Sequence, residues 1–292
     1  MSVADWFQTF HANLAITNGD DISYRYKRIT GRLNTDFRNT TSDTANSIYV
    51  GSYGRDTAIG KISDLDMAYQ LPVALYDQYR AHSGNGPSAL LQAVRTSVRN
   101  TYGTTDISAD GQVLVINFSD NVKFEILPCF PHADGSSFIY PDSNAGGSWK
   151  VSNPRAEIAA IKNRNDTTNR NLKRLCRMMR VWKDRWDVPM GGLLIDTLAY
   201  GFILNWEHKD KSFLYYDWMC RDFFKFMADG DRNTNSWPAP GSRRAVTRSG
   251  LFEYKARMAE NVAKEAIAYD SKQQHPSAKT KWREIFGPSF PA

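Results

Sequence analysis

The stretch Asp64-Leu65-Asp66-Met67 alternates acidic and apolar side chains, and no other feature of the sequence constrains the fold as strongly. Side chains along a β-strand point alternately to its two faces, so the alternation predicts a half-buried strand over residues 64–71. Both carboxylates then project from one face of the strand, while Leu65 and Met67 point into a core. The sequence therefore predicts a sheet that carries two acidic side chains together on one face.

The first half of the chain mixes predicted helices with predicted strands. Apolar residues at helical spacing predict a helical segment over residues 2–39 and a helix over residues 87–102. Further strands are predicted at residues 47–50, 112–118 and 122–127. The last two are separated by Ser119-Asp120-Asn121, which is a plausible hairpin turn.

The character of the sequence changes near residue 150. Residues 131–154 are rich in Gly, Ser, Asp and Pro, which predicts a long loop or a domain boundary. Helices are predicted beyond it at residues 156–163, 169–186, 193–206, 213–229 and 251–274, and a basic surface loop at residues 231–249. We therefore predict an α+β protein with domains at residues 1–150 and 151–292.

Composition narrows the class of protein without choosing a function. The net charge of +6 is compatible with an anionic partner and equally with an ordinary basic protein. Cys129, Cys176 and Cys220 form no CxxC pair, and the five histidines are scattered, so neither a disulfide framework nor a structural zinc site is expected. No signal pattern or membrane-length apolar run is present, so we expect a soluble, cytoplasmic protein.

The residues from Gly51 to Met67 carry the predicted chemistry. Gly51 lets the backbone approach a phosphate closely, and Ser52 adds a hydroxyl donor; a short helix opening within residues 53–58 would reinforce this anion site. Asp64 and Asp66 present hard oxygen ligands of the kind that Mg²⁺ prefers. A two-metal site usually needs a third carboxylate, and Glu125 is the best candidate because it lies mid-strand among apolar neighbours.

Non-catalytic explanations of these residues stay open at this stage. A lone Asp-x-Asp pair is most often a solvated strand or turn, and Glu125 is alternatively a surface carboxylate paired with Lys123. Other phosphate-binding and hydrolytic motifs are absent, namely GxxxxGK[ST], GxGxxG, GxSxG and HExxH.

Gly51-Ser52 followed by Asp64-Leu65-Asp66 resembles the GS…DxD signature of the DNA polymerase β-like nucleotidyltransferase superfamily. More narrowly, the chain resembles the bacterial cGAS/DncV-like nucleotidyltransferases (CD-NTases) over almost its whole length. The supporting segments are Tyr26-Lys27-Arg28-Ile29-Thr30, Gly51 to Ile59, Phe124-Glu125-Ile126-Leu127-Pro128, Leu172-Lys173-Arg174-Leu175 with Trp182-Lys183, and Phe286 to Pro291.

The resemblance implies a bilobed fold, in which a nucleotidyltransferase core with a long N-terminal spine helix joins a helical C-terminal lobe. It implies synthesis of a cyclic di- or trinucleotide from ATP, GTP or other NTPs in anti-phage signalling, with a separate effector protein that binds the product. Carried onto this chain, Gly51 and Ser52 hold the donor triphosphate, and Asp64, Asp66 and Glu125 bind two Mg²⁺, with Mn²⁺ as a possible substitute. Glu125 could also help deprotonate the acceptor hydroxyl.

Less specific positions complete the resemblance. The basic contact of the triphosphate falls on Lys173 or Arg177, although a solvated basic helix face explains both equally well. Glu125 stands where many relatives have Asp, and Gly192 where many have a phosphate-contacting Ser. A base-stacking aromatic would be sought among Tyr53, Trp149 and Tyr200, and a base or phosphate contact at Asn153 or Arg155. The resemblance also permits C-terminal conjugation, and the zinc insertion used for DNA gating is not visible.

Two other functions remain in competition with cyclic oligonucleotide synthesis. One is a nucleotidyltransferase that modifies an RNA end, a protein or a small molecule. The other is a non-catalytic RNA-binding module that uses the basic residues of 243–248 and the first helix, with vestigial carboxylates. Unpaired carboxylates beside a phosphate site would repel an anionic ligand unless metal ions lay between them, which argues against the second.

Overall fold

A computed structural model describes residues 2–60 and 62–292, which form two compact units. The sheet unit comprises residues 16–55 and 61–158, and the helical unit comprises residues 1–15, 56–60 and 159–292. The units are therefore discontinuous in sequence, unlike the predicted domains. Helix α1 (Val3–Asn13) belongs to the helical unit because its buried side chains, including Phe7 and Phe10, lie in the core of that unit.

A mixed β-sheet forms the centre of the sheet unit. Its strands are β1 (Ser47–Tyr49), β2 (Asp64–Gln70), β3 (Asp106–Asp110), β4 (Val113–Asn117), β5 (Lys123–Pro131), β6 (Phe138–Asp142) and β7 (Ser148–Ser152). The order is β1-β2-β5-β4-β3, with β6 paired to the end of β5 and to β7. Strands β2 and β5 run parallel, whereas the other pairs are antiparallel. The predicted strands and the hairpin at residues 119–121 are confirmed.

Helices of the sheet unit are α2 (Gly19–Arg38), α3 (Gly51–Gly54), α4 (Val73–Arg80) and α5 (Gly86–Arg99). Helix α2 buries Ile22, Ile29 and Leu33, which recur at helical spacing. The prediction of one helical segment over residues 2–39 is wrong in one respect, because α1 ends at Asn13 and residues 14–18 are not helical. Asn18, the last residue before α2, is held by two hydrogen bonds. Its side-chain amide donates to the Ile62 carbonyl oxygen and accepts from the Ile62 backbone N–H.

The prediction of a long loop over residues 131–154 is wrong, because β6 and β7 form a hairpin there. Ala145, Gly146 and Gly147 adopt positive φ angles and make its turn. The turn-forming residues dominate the composition and conceal the strands on either side. Strand β3 and helix α4 were not predicted, and residues 231–249 contain a short hairpin of β8 (Ser236–Pro238) and β9 (Ala245–Thr247).

Helices α6 (Pro154–Asp166), α7 (Asn171–Arg185), α8 (Gly192–Asn205), α9 (Tyr216–Ala228), α10 (Glu253–Ser271) and α11 (His275–Phe286) make up most of the second half of the chain. The first five were predicted, with ends that differ by a few residues, and α11 was not. Aromatic packing holds α1 to α11. The ring centroids of Phe7 and Trp282 are 5.1 Å apart, and those of Phe10 and Phe286 are 4.7 Å apart. Among the described residues no helix is long and apolar enough to span a membrane.

Candidate active site

The pairing of β2 with β5 brings the predicted acidic residues together. In this parallel register Asp66 lies opposite Glu125, and Asp64 lies opposite Lys123. Residues two apart on a strand share a face, so these four side chains occupy one face of the sheet. The three candidate carboxylates, which are up to 61 positions apart in sequence, are therefore neighbours, together with one lysine.

The opposite face of the same two strands explains why the carboxylates are held there. Leu65 and Met67 on β2 are fully buried, as are Phe124 and Ile126 on β5. A register slip by one residue would move these apolar side chains out of the core and the acids into it, which fixes the register strongly. The predicted orientation of both strands is thus confirmed.

Gly51 lies directly against Asp66. Its φ is +60°, and a Cβ atom at this position would lie 1.8 Å from the Asp66 Oδ2 atom. The backbone N–H of Val50 also donates to the Asp66 carbonyl oxygen at 2.9 Å. Helix α3 begins at Gly51, ahead of the segment 53–58 that was considered for a short helix, so the Gly-Ser pair itself opens the helix. Only glycine fits this close approach.

Asp66 lies in an electrostatically unfavourable place for a carboxylate. Burial raises the pKa of its carboxyl group, and the negative charges of Glu125 and then Asp64 raise it further. The nearby cations of Arg55 and Lys123 act in the opposite direction but do not cancel the shift. On the paired positions of β2 and β5, three carboxylates share this face with one lysine, so negative charge is in excess there.

Lys123 forms ion pairs with two of the three carboxylates. Its Nζ atom lies 2.8 Å from Glu125 Oε1 and 3.3 Å from Asp64 Oδ1. The alternative explanation of Glu125, a carboxylate paired with Lys123, thus describes a real contact. That contact lies beside Asp66 on the same face, so it does not separate Glu125 from the other two acids.

The donor atoms suit a divalent cation such as Mg²⁺. All three side chains supply carboxylate oxygens, and Glu125 and Asp64 both place negative charge near Asp66 that a cation would neutralise. Across residues 2–60 and 62–292, no three His, Cys, Asp or Glu side chains are gathered tightly enough to hold a metal ion in the present arrangement. The residues fit the ion in chemistry, provided that the ammonium group of Lys123 gives up its place between Asp64 and Glu125.

Arg55 is a charged neighbour of the site that the sequence did not predict. It is buried, forms an ion pair with Glu157 at 3.6 Å and lowers the pKa of Asp66. It follows Gly51 by four positions, the spacing of one helical turn, and that spacing is the signal that could have identified it.

Lys173 and Arg177, predicted as triphosphate contacts, lie on α7 in the helical unit. Both bind the carboxylate of Asp56, Lys173 at 3.1 Å and Arg177 through its Nη2 atom. They occupy one face of the helix, as their spacing predicted. Their predicted role with the triphosphate stays untested.

The remaining candidates all have packing or capping partners. Tyr53 contacts Tyr49 at 4.8 Å, and Trp149 packs edge-on against Tyr76 at 5.2 Å. Tyr200 lies beneath the guanidinium group of Arg164 at 4.0 Å. Asn153 accepts a hydrogen bond from the Ala156 backbone N–H at the start of α6, and Arg155 lies 4.6 Å from the ring of Phe138. Gly192 accepts a hydrogen bond from Arg180 through its carbonyl oxygen. These contacts explain the positions of the six residues without any bound nucleotide.

Comparison with known proteins places this site in a family. Residues 1–165, more than half of the chain, match the family described as the Second Messenger Oligonucleotide or Dinucleotide Synthetase (SMODS) domain. The chain belongs to the SMODS family. The matched part contains Gly51, Ser52 and the three carboxylates, and membership confirms the resemblance to CD-NTases inferred from those residues.

Individual SMODS-like relatives are distant in sequence. A probable cyclic nucleotide synthase of Bacillus cereus (strain VD146) is 25% identical over 181 residues, which cover 58% of this chain and 52% of the relative. The chain thus spans about half the length of the curated relative that it matches.

Solved structures share the fold of nearly the whole chain. E. coli MS115-1 CdnC with ATP gives a TM-score of 0.72 at 15% identity, covering 99% of this chain and 98% of that one. The Bradyrhizobium diazoefficiens CD-NTase CdnG with GTP gives 0.68 at 11% identity, covering 97% and 94%. The predicted fold class, a polymerase β-like nucleotidyltransferase core with a helical C-terminal part, is confirmed.

Proposed function

We propose that this protein synthesises a cyclic di- or trinucleotide messenger from NTPs with Mg²⁺, releasing pyrophosphate, in bacterial anti-phage signalling. A separate effector protein would bind the messenger. The observation that carries the proposal is the register of β2 against β5, which sets Asp66 beside Glu125 under Gly51 in a chain of the SMODS family. ATP and GTP, bound in the solved relatives, are the first substrates to test.

Each residue of the proposed site has a separate task. Gly51 and Ser52 would hold the donor triphosphate, and Asp64, Asp66 and Glu125 would hold two Mg²⁺ ions, or Mn²⁺ in their place. The ions, when bound, neutralise charge that develops on the transferred phosphoryl group. A ribose hydroxyl oxygen of the acceptor forms the new bond to the donor α-phosphorus, the bond to pyrophosphate breaks, and Glu125 can accept the hydroxyl proton. Lys173 and Arg177 remain predicted triphosphate contacts from the sequence resemblance alone.

Lys123→Met is expected to tighten Mn²⁺ binding about three- to tenfold, because the lysine ammonium then no longer competes for Asp64 and Glu125. Free Mn²⁺ is measured by electron paramagnetic resonance without nucleotide, so the result does not depend on activity. Lys150→Met is the matched control, since Lys150 pairs with Asp142 elsewhere in the sheet unit. Weaker Mn²⁺ binding in Lys123→Met would show that Lys123 supports the carboxylates rather than competing with a metal.

Gly51→Ala is expected to lower the rate of nucleotide incorporation by about a hundredfold, because the new methyl group displaces the Asp66 carboxylate by an ångström or more. Gly135→Ala is the control, because Gly135 also has a positive φ of +71° but nothing lies within 4 Å of its added Cβ. If both variants lose the same activity, backbone strain rather than the contact with Asp66 is the cause.

Product analysis separates the proposed function from its competitors. The purified protein is incubated with radiolabelled NTPs and Mg²⁺ or Mn²⁺, and the products are treated with phosphatase. A cyclic product has no terminal phosphate and stays resistant. Transfer of label to added RNA or to protein, without a resistant species, would favour a nucleotidyltransferase with a macromolecular acceptor.

A further inference from the structure

The helical unit contains a basic pocket in which Lys173 and Arg177, the triphosphate contacts predicted from the resemblance, are only two of five cations. The cavity has a volume of about 370 Å³, within the range of small-molecule sites. Five cationic side chains line it: Lys162, Arg170, Lys173, Arg174 and Arg177. They come from the end of α6, the turn that follows it and the first half of α7.

The cations of this pocket lie where a helix disfavours them. The N-terminal end of a helix carries partial positive charge, which stabilises anions and not cations. Yet the first turn of α7 has no acidic residue, and its N-cap is Arg170. An arrangement of this kind is electrostatically costly unless an anion is present.

The carboxylate of Asp56 offsets part of this positive charge. Its carboxylate binds Lys173 at 3.1 Å and also binds Arg177, and its backbone has a φ of 57°. The other acid of the pocket, Asp166, pairs with Lys162 at 2.6 Å. Five cations face two carboxylates, so the lining keeps an excess of three positive charges.

Two further observations concern Arg177 and the histidine beside it. The Nε atom of Arg177 is buried and has no hydrogen-bond partner within the described parts of the chain. His11 Nε2 lies 3.3 Å from Arg177 Nη1, and burial, followed by the charges of Arg177 and Arg174, lowers the pKa of His11 to about 4. The imidazole is therefore neutral at physiological pH and adds no charge of its own.

We propose that this pocket binds a compact chain of phosphate groups, and that it does so without the help of Ser52. Arg170 and Arg174 contact the phosphates, and Asp56 competes with them for Lys173 and Arg177. The proposal gives Lys173 and Arg177 a ligand other than the donor triphosphate predicted from the sequence. It does not depend on the proposed function, because the pocket is formed by residues of the helical unit alone.

The test is calorimetric titration of the full chain with inorganic tripolyphosphate in buffer with EDTA. Asp56→Asn is expected to tighten binding about five- to tenfold, and Arg170→Gln and Arg174→Gln to weaken it by a similar factor. Asparagine tolerates the left-handed conformation of Asp56, and a gain of binding cannot arise from misfolding. Arg232→Gln, which removes an exposed positive charge outside the pocket, should bind as the wild type does.

Two comparisons decide between the possible sources of the phosphates. Ser52→Ala should leave tripolyphosphate binding unchanged; a loss of tenfold or more would place the phosphates in the donor site and overturn the proposal. The titrations are repeated with ATP. If Arg174→Gln weakens ATP binding and Ser52→Ala does not, as expected for tripolyphosphate, the pocket also accepts the phosphates of a nucleotide. In NMR spectra the pKa of His11 should rise when tripolyphosphate binds. Binding that is unaffected by Asp56→Asn, Arg170→Gln and Arg174→Gln contradicts the proposal.

Discussion

Asp66→Asn is expected to reduce nucleotide incorporation more than about a thousandfold, a loss of about 4 kcal/mol of transition-state stabilisation. Asp66 is half-buried and lies against both Gly51 and Glu125. An amide of the same shape keeps the packing but loses the charge that would bind a metal. Initial rates of pyrophosphate release measure the effect, with Asp110→Asn as an exposed control in the same sheet.

The same substitution is expected to raise the melting temperature of the metal-free protein. The pKa of Asp66 is raised in the folded state, so the folded protein binds the proton more tightly than the unfolded chain does. Its ionisation therefore removes stability as pH rises from the ordinary carboxyl pKa through the raised value, so the cost is larger at neutral pH than in acid. Calorimetry in EDTA should show a higher melting temperature for Asp66→Asn than for the wild type at pH 7.5, and a smaller difference near pH 4. A lower melting temperature at pH 7.5 would contradict this account of the site.

Asp196→Asn is expected to lower the free energy of unfolding by about 3–5 kcal/mol, because it leaves a buried arginine without its counter-charge. Asp196 is fully buried and accepts hydrogen bonds from Arg180 at 2.7 and 3.0 Å and from Thr57 at 3.0 Å. The carboxylate thus joins α7 and α8 to the short segment Asp56–Gly60. Urea unfolding measures the loss.

Two variants show whether the charge or the packing is responsible. Asp210→Asn changes an exposed aspartate of the same unit and should have little effect on unfolding. The double variant Arg180→Met/Asp196→Leu removes both charges, and it should recover much of the stability because no buried charge remains unpaired. A double variant as unstable as Asp196→Asn would indicate that the hydrogen bonds to Thr57 and Gly192 matter more than the ion pair.

The sequence predicted the local structure around Asp64 and Asp66. Strand β2 was predicted because its alternation depends only on neighbouring residues, and the orientation of Leu65 and Met67 followed from it. The place of Glu125 among apolar residues of a predicted strand marks it as a candidate without any information on its pairing with Asp66. The register that makes them neighbours joins residues about sixty positions apart, and no local pattern encodes it.

Long-range and turn-dominated features could not be predicted in this way. The β6–β7 hairpin was concealed because its turn residues resemble those of a loop, and the break between α1 and α2 arises because the two helices belong to different units. The ion pairs of Asp56 with Lys173 and Arg177 span more than a hundred positions. The contact of Lys123 with Glu125 was foreseen, but its location beside Asp66 required the fold.

The most direct test of the central claim is the mass and the pyrophosphate yield of the product formed from all four NTPs. Closing a ring releases one pyrophosphate for every nucleotide incorporated, whereas a linear product keeps one triphosphate and releases one pyrophosphate fewer. For the wild type we predict a product without terminal phosphates and one pyrophosphate released per nucleotide incorporated. Asp66→Asn should yield neither the product nor the pyrophosphate. A linear triphosphate-bearing product, or undiminished synthesis by Asp66→Asn, would contradict the account.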